Sequence, residues 1–329
     1  MKLATYKNGS RDGRLLVVSR DLTRAVDAAA VAPTMQQLIE DWAARAPRLQ
    51  ALSDRLNAGP VVGEFAFDPA MCLSPLPRTH QFVDASAFLN HGHIMEEAYQ
   101  LSVKKTPGIP VLVQRQSDDF WGPCDDYPLA EADNGDFEGE FAVIVDDTPM
   151  ASSPEVCAGR IRLVMILNDV SMRAHLFREL QMGFGFINAK PATVFGPVAV
   201  TPDELGEAWH ADGRIHLNMN VSRNGEWFGH PNGREMDWSF GELLARLGLN
   251  RNLRAGTILG TGTVSNKAAR TVGSACLAEK RALEKIETGD STTTFLKLGD
   301  RLRFEAFGAD GQSIFGAVDH RFVPFKSEQ

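Results

Sequence analysis

The chain has 329 residues, of which 43% are hydrophobic and 23% are charged, and its formal net charge is −8. This length suits one large domain together with a small one. A nucleic-acid-binding protein presents a clustered basic patch, so the acidic balance predicts no nucleic-acid partner. No apolar stretch approaches the roughly 20 residues of a membrane helix, and the first residues lack the apolar core of a signal peptide. We therefore expect no membrane partner.

Four cysteines are spread along the chain: Cys72, Cys124, Cys157 and Cys276. No two of them have the close C-x-x-C spacing of a zinc or redox site. This pattern favours reduced cysteines, which are typical of cytoplasmic proteins. We therefore expect a cytoplasmic location.

The first part of the chain predicts a small module of mixed structure. The apolar run at residues 14–19 is typical of a strand. Thr34 followed by Gln37 forms a capping-box pattern, which predicts the start of a helix. Pro47 should break or restart this helix. The sequence Asn57-Ala58-Gly59 is typical of its end.

A proline-containing stretch, Ser74-Pro-Leu-Pro-Arg78, predicts a linker after this module. It divides the chain into a small N-terminal domain, residues 1–78, and a larger domain, residues 79–329. The second segment is dominated by strand signals, and its helices are expected to be few and short. We expect a mainly β fold with peripheral helices (α+β) rather than a doubly wound parallel sheet, because strands and helices do not alternate regularly.

Turn and capping signals locate some elements of the larger segment. Asn224-Gly225 and Asp310-Gly311 each lie between runs with strand character and predict β-hairpins. Ser153, followed by proline, and Ser239, followed by Glu242, predict the starts of two helices.

Two carboxylates stand two residues apart at the start of an apolar run. In Asp136-Phe-Glu-Gly-Glu140, the side chains of Glu138 and Glu140 point to the same face if the segment is a strand. Like charges side by side are costly unless a positive group lies between them. A hard divalent cation, Mg²⁺ or Ca²⁺, prefers such oxygen ligands, so the pair predicts a metalloenzyme. The alternative is an exposed, acidic strand end.

Two further acids are candidates for the same site. Asp169 follows the apolar run at residues 163–168, where a buried acid needs a partner. Asn168-Asp169 would also suit a plain turn. Asp84 precedes a short helix that is predicted at residues 87–91, and its alternative role is the N-cap of that helix.

Three basic side chains suit chemistry beside a metal. His91 and His93 are two residues apart, a spacing that puts them on different faces of a helix and argues against a zinc site. Either one could act as a general base. Lys190 follows a segment with two phenylalanines and precedes a proline, where it could stabilise a developing oxyanion. An ordinary surface or core role is the more common one for each residue type.

Taken together, these segments resemble the fumarylacetoacetate hydrolase family. The resemblance covers almost the whole chain, and it is carried by the stretches VDASAFLNH (83–91), DFEGE (136–140), LNDVS (167–171), KPATVFGPVAVTPDELG (190–206), GTGTVSN (260–266) and DGQSIFGAVD (310–319). It implies a mixed β-sandwich or β-roll catalytic domain, preceded by a small, partly open barrel-like N-terminal domain. It also implies a homodimer.

The resemblance implies roles for individual residues as well. Mg²⁺ or Ca²⁺ would be held by Asp84, Glu138, Glu140 and Asp169. His91 would be the catalytic base that activates water, and Lys190 would stabilise an enolate. Thr263 would bind the substrate carboxylate, and Gly262 beside it would allow close approach of the backbone.

The implied reaction is the hydrolysis of a carbon–carbon bond in a 1,3-diketo acid, fumarylacetoacetate or a related acylpyruvate, in tyrosine or other aromatic catabolism. Alternatives with the same metal are an oxaloacetate decarboxylase and a 2-oxo-enoate isomerase or hydratase. A catalytically silent metal-binding protein is an alternative of another class. It is motivated by two departures from the family, Val113 in place of a substrate-contacting tyrosine and Leu277 in place of the glutamate partner of the histidine. The partner of His91 is left open between Glu96, Glu97, Glu279 and no carboxylate.

Overall fold

The computed structural model describes residues 1–100 and 106–325. Within these residues the strands are β1 (Lys2–Tyr6), β2 (Arg14–Val18), β3 (Arg24–Asp27), β4 (Phe65–Ala66), β5 (Phe82–Ala85), β6 (Leu112–Gln114), β7 (Tyr127–Pro128), β8 (Gly135–Asp136), β9 (Gly139–Val145), β10 (Ile161–Asn168), β11 (Ser171–Met172), β12 (Val194–Phe195), β13 (Ala199–Val200), β14 (Asn220–Arg223), β15 (Glu226–Gly229), β16 (Ile258–Gly260), β17 (Arg301–Glu305) and β18 (Val318–Val323). The α-helices are α1 (Met35–Glu40), α2 (Trp42–Ala58), α3 (Leu89–Tyr99), α4 (Pro154–Ala158), α5 (Arg173–Met182), α6 (Phe240–Leu247), α7 (Ala269–Val272) and α8 (Leu277–Thr288).

The strands form a large sheet and two smaller ones in the described part of the chain. The large sheet has the order β4-β3-β2-β1-β13-β10-β9-β16-β5-β6, and β12 also pairs with β10. A second sheet has the order β15-β14-β17-β18-β7, and β8 pairs with β11. Helices lie around these sheets instead of alternating with the strands. This is the α+β class that the sequence predicts.

The N-terminal strands extend the large sheet. β1 pairs with β13 in an antiparallel register that places Lys2 opposite Val200. The predicted linker at residues 74–78 contains neither helix nor strand, but its Ser74 and Leu76 are buried. It is therefore packed against the protein.

The helix break in this region does not lie where the sequence predicts it. Thr34 caps α1 as expected, because its side chain accepts a hydrogen bond from the Gln37 amide. The helix then ends at Glu40, and α2 runs from Trp42 through Pro47 to Ala58. The break is at Asp41, whose φ of −131° and ψ of 43° are not helical. Pro47 lacks only its own amide hydrogen bond, and burial of the leucines on α2 compensates for that loss.

The two predicted hairpins and the two predicted serine-capped helix starts of the larger segment are confirmed. Asn224 and Gly225 both have positive φ angles and join β14 to β15 in a hairpin. β17 and β18 pair across the turn at residues 308–312. Ser153 and Ser239 cap α4 and α6, and Ser239 forms both hydrogen bonds of a capping box with Glu242. All four cysteines are free. Among the described helices, none has the length and apolarity needed to cross a membrane.

The helix predicted after Asp84 begins later and is longer than expected. Asp84 lies inside β5, so it does not cap a helix. The N-cap of α3 is Phe88, and the helix continues to Tyr99. Packing of α3 against α8 stabilises the additional turns, which the local sequence pattern does not reveal.

Four neighbouring strands of the large sheet place the predicted site residues at one end of the sheet. β10 pairs with β9, with Asn168 opposite Gly139. β9 pairs with β16, and β16 runs parallel to β5. The end of β10, the start of β9 and the ends of β16 and β5 therefore lie side by side.

Candidate active site

Three carboxylates from three strands form the centre of this region. Asp84 belongs to β5, Glu140 to β9, and Asp169 directly follows β10. Each offers one oxygen, and these oxygens lie within 4.8 Å of one another. All three residues are buried. The alternative for Glu140, an exposed strand end, is therefore excluded.

A glycine-flanked loop after β16 lies directly against two of these acids. The amide of Gly262 donates to Asp84 Oδ1 at 2.9 Å and to Glu140 Oε2 at 3.1 Å. Gly262 has a φ of +74°, and a Cβ atom there would lie 2.3 Å from the carbonyl oxygen of Ala85. At Gly260 a Cβ atom would lie 2.7 Å from Asp84 Oδ1. Only glycine fits at both positions.

Glu138 lies in the same cluster, but its carboxylate is bound by cations. Its Oε1 is 3.0 Å from Lys190 Nζ and 2.6 Å from Arg173 Nη2. Lys190 Nζ also donates to Asp169 Oδ2 at 2.6 Å, and Arg115 Nη2 donates to Asp169 Oδ1. Lys190 thus joins two of the predicted metal ligands.

The electrostatics of the cluster follow from burial and from these neighbours. Burial, with the nearby charges of Asp84 and Glu138, holds the pKa of Glu140 well above its usual range. Burial also acts to raise the pKa of Glu138, but Lys190 and Arg173 outweigh it and hold that pKa below the ordinary value. The pKa of Lys190 is lowered because the buried ammonium is desolvated.

His91 pairs with Glu279. The His91 Nδ1 and Glu279 Oε2 atoms are 2.9 Å apart, and Glu279 is completely buried in the first turn of α8. An ionised carboxylate can only accept a hydrogen bond, so Nδ1 of the neutral imidazole carries the proton and Nε2 is free to accept one. Of the four options left open by the sequence, the structure thus selects Glu279.

The histidine pair and the acid cluster belong to one site. His91 is close enough to Glu138 for the charge of a protonated imidazole to lower the pKa of that carboxyl. Several buried polar atoms in this region have no hydrogen-bond partner among the described residues: Glu140 Oε1, Thr263 Oγ1, Glu279 Oε1, and Arg115 Nε and Nη1. Buried polar atoms are normally paired, so their concentration here is typical of a site that binds a ligand.

Sequence reasoning missed three polar residues of this region and left a fourth undecided. Arg115, Arg173 and Asp136 were assigned no role, and Glu279 was only one of several options. Arg115 contacts Asp169 from 54 positions away, and Glu279 contacts His91 from 188 positions away. No local spacing pattern can report contacts of this range. The need to balance buried acids with cations was the one available signal, and it does not identify which arginine.

Comparison with known proteins identifies the family. The model of the fumarylacetoacetate (FAA) hydrolase C-terminal region matches residues 81–323. The chain belongs to the fumarylacetoacetate hydrolase family. A second family model, fumarylacetoacetase N-terminal domain 2, matches residues 1–78. The resemblance seen in the sequence is therefore confirmed.

The sequence identity between this chain and individual members of the fumarylacetoacetate hydrolase family is low. A 2,4-didehydro-3-deoxy-L-rhamnonate hydrolase of Sphingomonas sp. (strain SKA58) is 28% identical over 161 residues, which are 48% of this chain and 53% of that protein. The chain therefore matches about half the length of this curated relative.

Two solved structures show the same fold along nearly the whole chain. A fumarylacetoacetate hydrolase from Exiguobacterium antarcticum has a TM-score of 0.67 at 18% identity, and 99% of this chain and 100% of that chain are covered. Maleylpyruvate hydrolase from Sphingobium sp. SYK-6, in complex with manganese(II) and pyruvate, has a TM-score of 0.66 at 18% identity with the same coverage. The predicted α+β fold of the family is thus confirmed.

Proposed function

We propose that this protein is a metal-dependent hydrolase that cleaves a carbon–carbon bond in a 1,3-diketo acid of the acylpyruvate class. The observation that carries this proposal is the presence of a His91–Glu279 pair beside a buried cluster of three carboxylates. The pair supplies a base for water, and the carboxylates supply oxygen ligands for a cation. A family relative that hydrolyses maleylpyruvate and was crystallised with manganese(II) and pyruvate supports the same assignment.

The residues at the centre of the site fit a divalent cation. Asp84, Glu140 and Asp169 offer oxygen atoms within 4.8 Å of one another, and Glu140 Oε1 has no hydrogen-bond partner within residues 1–100 and 106–325. Oxygen-only donor sets are the preferred ligands of Mg²⁺ and Ca²⁺. Glu138 is the fourth acid in the proposed set, and its partners Arg173 and Lys190 hold it ionised. When bound, the cation would act as a Lewis acid that polarises the dicarbonyl group.

His91 is the proposed base of the reaction. With Nδ1 protonated and held by Glu279, Nε2 takes a proton from a water molecule that attacks the distal carbonyl of the substrate. Glu279 then stabilises the imidazolium that forms. Glu279 occupies the role that Leu277 cannot fill, so this departure from the family pattern does not argue for a silent protein.

Lys190 and Thr263 are proposed to bind two different parts of the substrate, the developing enolate and the carboxylate. The ammonium of Lys190 has three donors, two of which point to Asp169 and Glu138. The third can donate to the enolate oxygen that forms as the carbon–carbon bond breaks. Thr263 Oγ1 is buried with no partner in the described part of the chain, and it is proposed to donate to the substrate carboxylate.

We further propose a homodimer. The second half of α5 and the loop after it expose Phe177, Met182, Phe184 and Ile187, and Phe184 is 94% exposed. Contiguous exposed apolar side chains are typical of protein interfaces. Light scattering of the purified 36.0 kDa chain should give twice this mass, and Phe184→Glu should shift the mass towards that of one chain.

The proposed activity can be tested with purified protein and a series of acylpyruvates that includes fumarylacetoacetate. We expect at least one to be cleaved to pyruvate or acetoacetate and a second acid, with activity lost after EDTA and restored by Mg²⁺ or Ca²⁺. Glu140→Gln should lose both activity and calorimetric metal binding. Glu305→Gln is the control, because Glu305 is also a buried glutamate, at 9% exposure, but pairs with Arg303 outside the site. A metal-loaded protein that cleaves none of these acids would contradict the proposal.

A further inference from the structure

Asp136 joins the two halves of the site. It is completely buried, and its carboxylate accepts hydrogen bonds from the first two amides of α8, Leu277 N at 2.7 Å and Ala278 N at 2.9 Å. The next residue of α8 is Glu279, the partner of His91. The Asp136 carboxylate therefore holds the turn of helix that carries the carboxylate of the histidine pair.

The same carboxylate also binds the other half of the site. Its Oδ2 accepts from Arg173 Nε at 2.8 Å, and Arg173 Nη2 lies 2.7 Å from it. Arg173 Nη2 in turn donates to Glu138 Oε1 at 2.6 Å. A short chain of charged contacts thus runs from the acid cluster, through Arg173 and Asp136, to the start of α8. Glu279, in the first turn of α8, and its partner His91 continue this chain of contacts.

We propose that Asp136 is a positioning residue that sets the geometry of Glu279, and through it His91, relative to the acid cluster. This inference rests on the function proposed for the His91–Glu279 pair. Asp136 touches neither of these two side chains, so it acts by holding the N-terminus of α8.

The substitution Asp136→Asn isolates this role. An asparagine has one oxygen and one amino group, whereas both carboxylate oxygens of Asp136 accept hydrogen bonds here. In one orientation of the asparagine amide, its amino group faces the Leu277 N–H. In the other orientation, it faces the N–H groups of Ala278 and Arg173. In both cases two donors oppose each other. The first turn of α8 therefore loses part of its anchor, while the side-chain volume is unchanged.

A double-mutant cycle on kcat tests whether Asp136 acts through Glu279. We expect Asp136→Asn to lower kcat at least ~10-fold in the wild-type background, because the histidine pair is displaced. In the Glu279→Gln background the same substitution should change kcat less than about 3-fold, because the pair is already impaired. Equal effects in both backgrounds, or a wild-type kcat for Asp136→Asn, would overturn the inference.

A second readout is independent of activity. The ring nitrogen chemical shifts of ¹⁵N-labelled His91 report the tautomer and its hydrogen bond. Asp136→Asn should move them in the direction that Glu279→Gln moves them, and unchanged shifts would refute the positioning role. If Asp136→Asn moves the His91 shifts as expected but the wild-type protein cleaves no acylpyruvate, the result counts against the proposed function and not against the positioning role.

Asp300→Asn is the matched control. Asp300 is also buried and also accepts from backbone and arginine donors, Lys297 N at 2.8 Å and Arg223 Nη2 at 2.6 Å, but it lies outside the site. The Asp300→Asn substitution should lower the unfolding temperature and leave both kcat and the His91 shifts unchanged. If Asp136→Asn does not fold, Asp136→Glu keeps the charge and displaces the carboxylate by one methylene. It should then give a smaller loss of kcat with the same dependence on Glu279.

Discussion

Glu279→Gln is the most direct perturbation of the proposed proton-transfer pair. The substitution keeps the size and shape of a side chain that is completely buried, and removes only its negative charge. A glutamine oxygen can still accept from His91 Nδ1 at the observed 2.9 Å, so the neutral imidazole can stay oriented. What is lost is the stabilisation of the imidazolium that forms when His91 takes the proton from water.

The size of this loss can be worked from the distance. Opposite unit charges 2.9 Å apart attract by about 6 kcal/mol at an effective dielectric constant of 20, and by about 1.4 kcal/mol in bulk water. The His91 side chain is 23% exposed, so solvent screens part of the interaction. A value near the middle of this range, about 3 kcal/mol, corresponds to a loss of roughly 100-fold in kcat.

The assay is steady-state cleavage of the best acylpyruvate at saturating metal. We expect kcat to fall roughly 100-fold, with a nearly unchanged KM, because the substrate in its ground state does not sense the charge of His91. Calorimetric binding of Mn²⁺ should be unchanged, because Glu279 is not one of the three clustered acids. A kcat within about 3-fold of wild type would refute the role of Glu279 as the charged partner of a catalytic base.

Three further predictions concern other parts of the structure. Gly262→Ala should destabilise the protein by about 3 kcal/mol in urea unfolding, because its Cβ would clash with a carbonyl oxygen at a positive φ; Gly225→Ala, with a φ of +83° and open space, should cost less. Thr263→Val should raise KM about 10-fold in the cleavage assay with little change in thermal stability, because the hydroxyl has no partner to lose among the residues that the structure describes. The pKa of buried His320 is lowered to about 4 because the imidazole is desolvated. The unfolded state therefore binds a proton that the folded state does not between pH 6.5 and 4, and stability should fall by about 3 kcal/mol on acidification through this window. Urea unfolding of His320→Gln should show a correspondingly weaker dependence on pH.

The parts of the site that were predictable depend on short sequence distances. Glu140 lies in β9 and Glu138 directly precedes that strand, and their separation of two positions in an extended segment suffices to predict that they lie near each other. The helix caps at Thr34 and Ser239 and the Asn224-Gly225 hairpin are likewise determined by four or fewer consecutive residues. Asp84 and Asp169 each had a plausible local role, as a cap or a turn, and only the family resemblance favoured the site over it.

The parts that were not predictable depend on how distant segments pack. Glu279 has the sequence context of an ordinary acid in a first helical turn, and nothing nearby indicates that His91 will lie against it. The break at Asp41 was misplaced for a related reason. Proline is the dominant local signal, but burial of Ala46 before Pro47 and of Leu49 and Leu56 after it keeps α2 continuous. Tertiary packing outweighed local preference in both cases.

The balance of charge in the buried cluster ties these observations together. Five buried carboxylates, those of Asp84, Asp136, Glu138, Glu140 and Asp169, lie near the buried cations Arg115 and Lys190 and the largely buried Arg173. With these eight groups ionised, negative charges exceed positive ones by two, before Glu279 beside the neutral His91 is counted, and an unbalanced buried charge is strongly unfavourable. The raised pKa of Glu140 is consistent with this excess of negative charge, because Asp84 and Glu138 contribute to it. A divalent cation at the three clustered oxygens would offset two of these negative charges. The excess of acids over cations is therefore a further reason to expect a cation there.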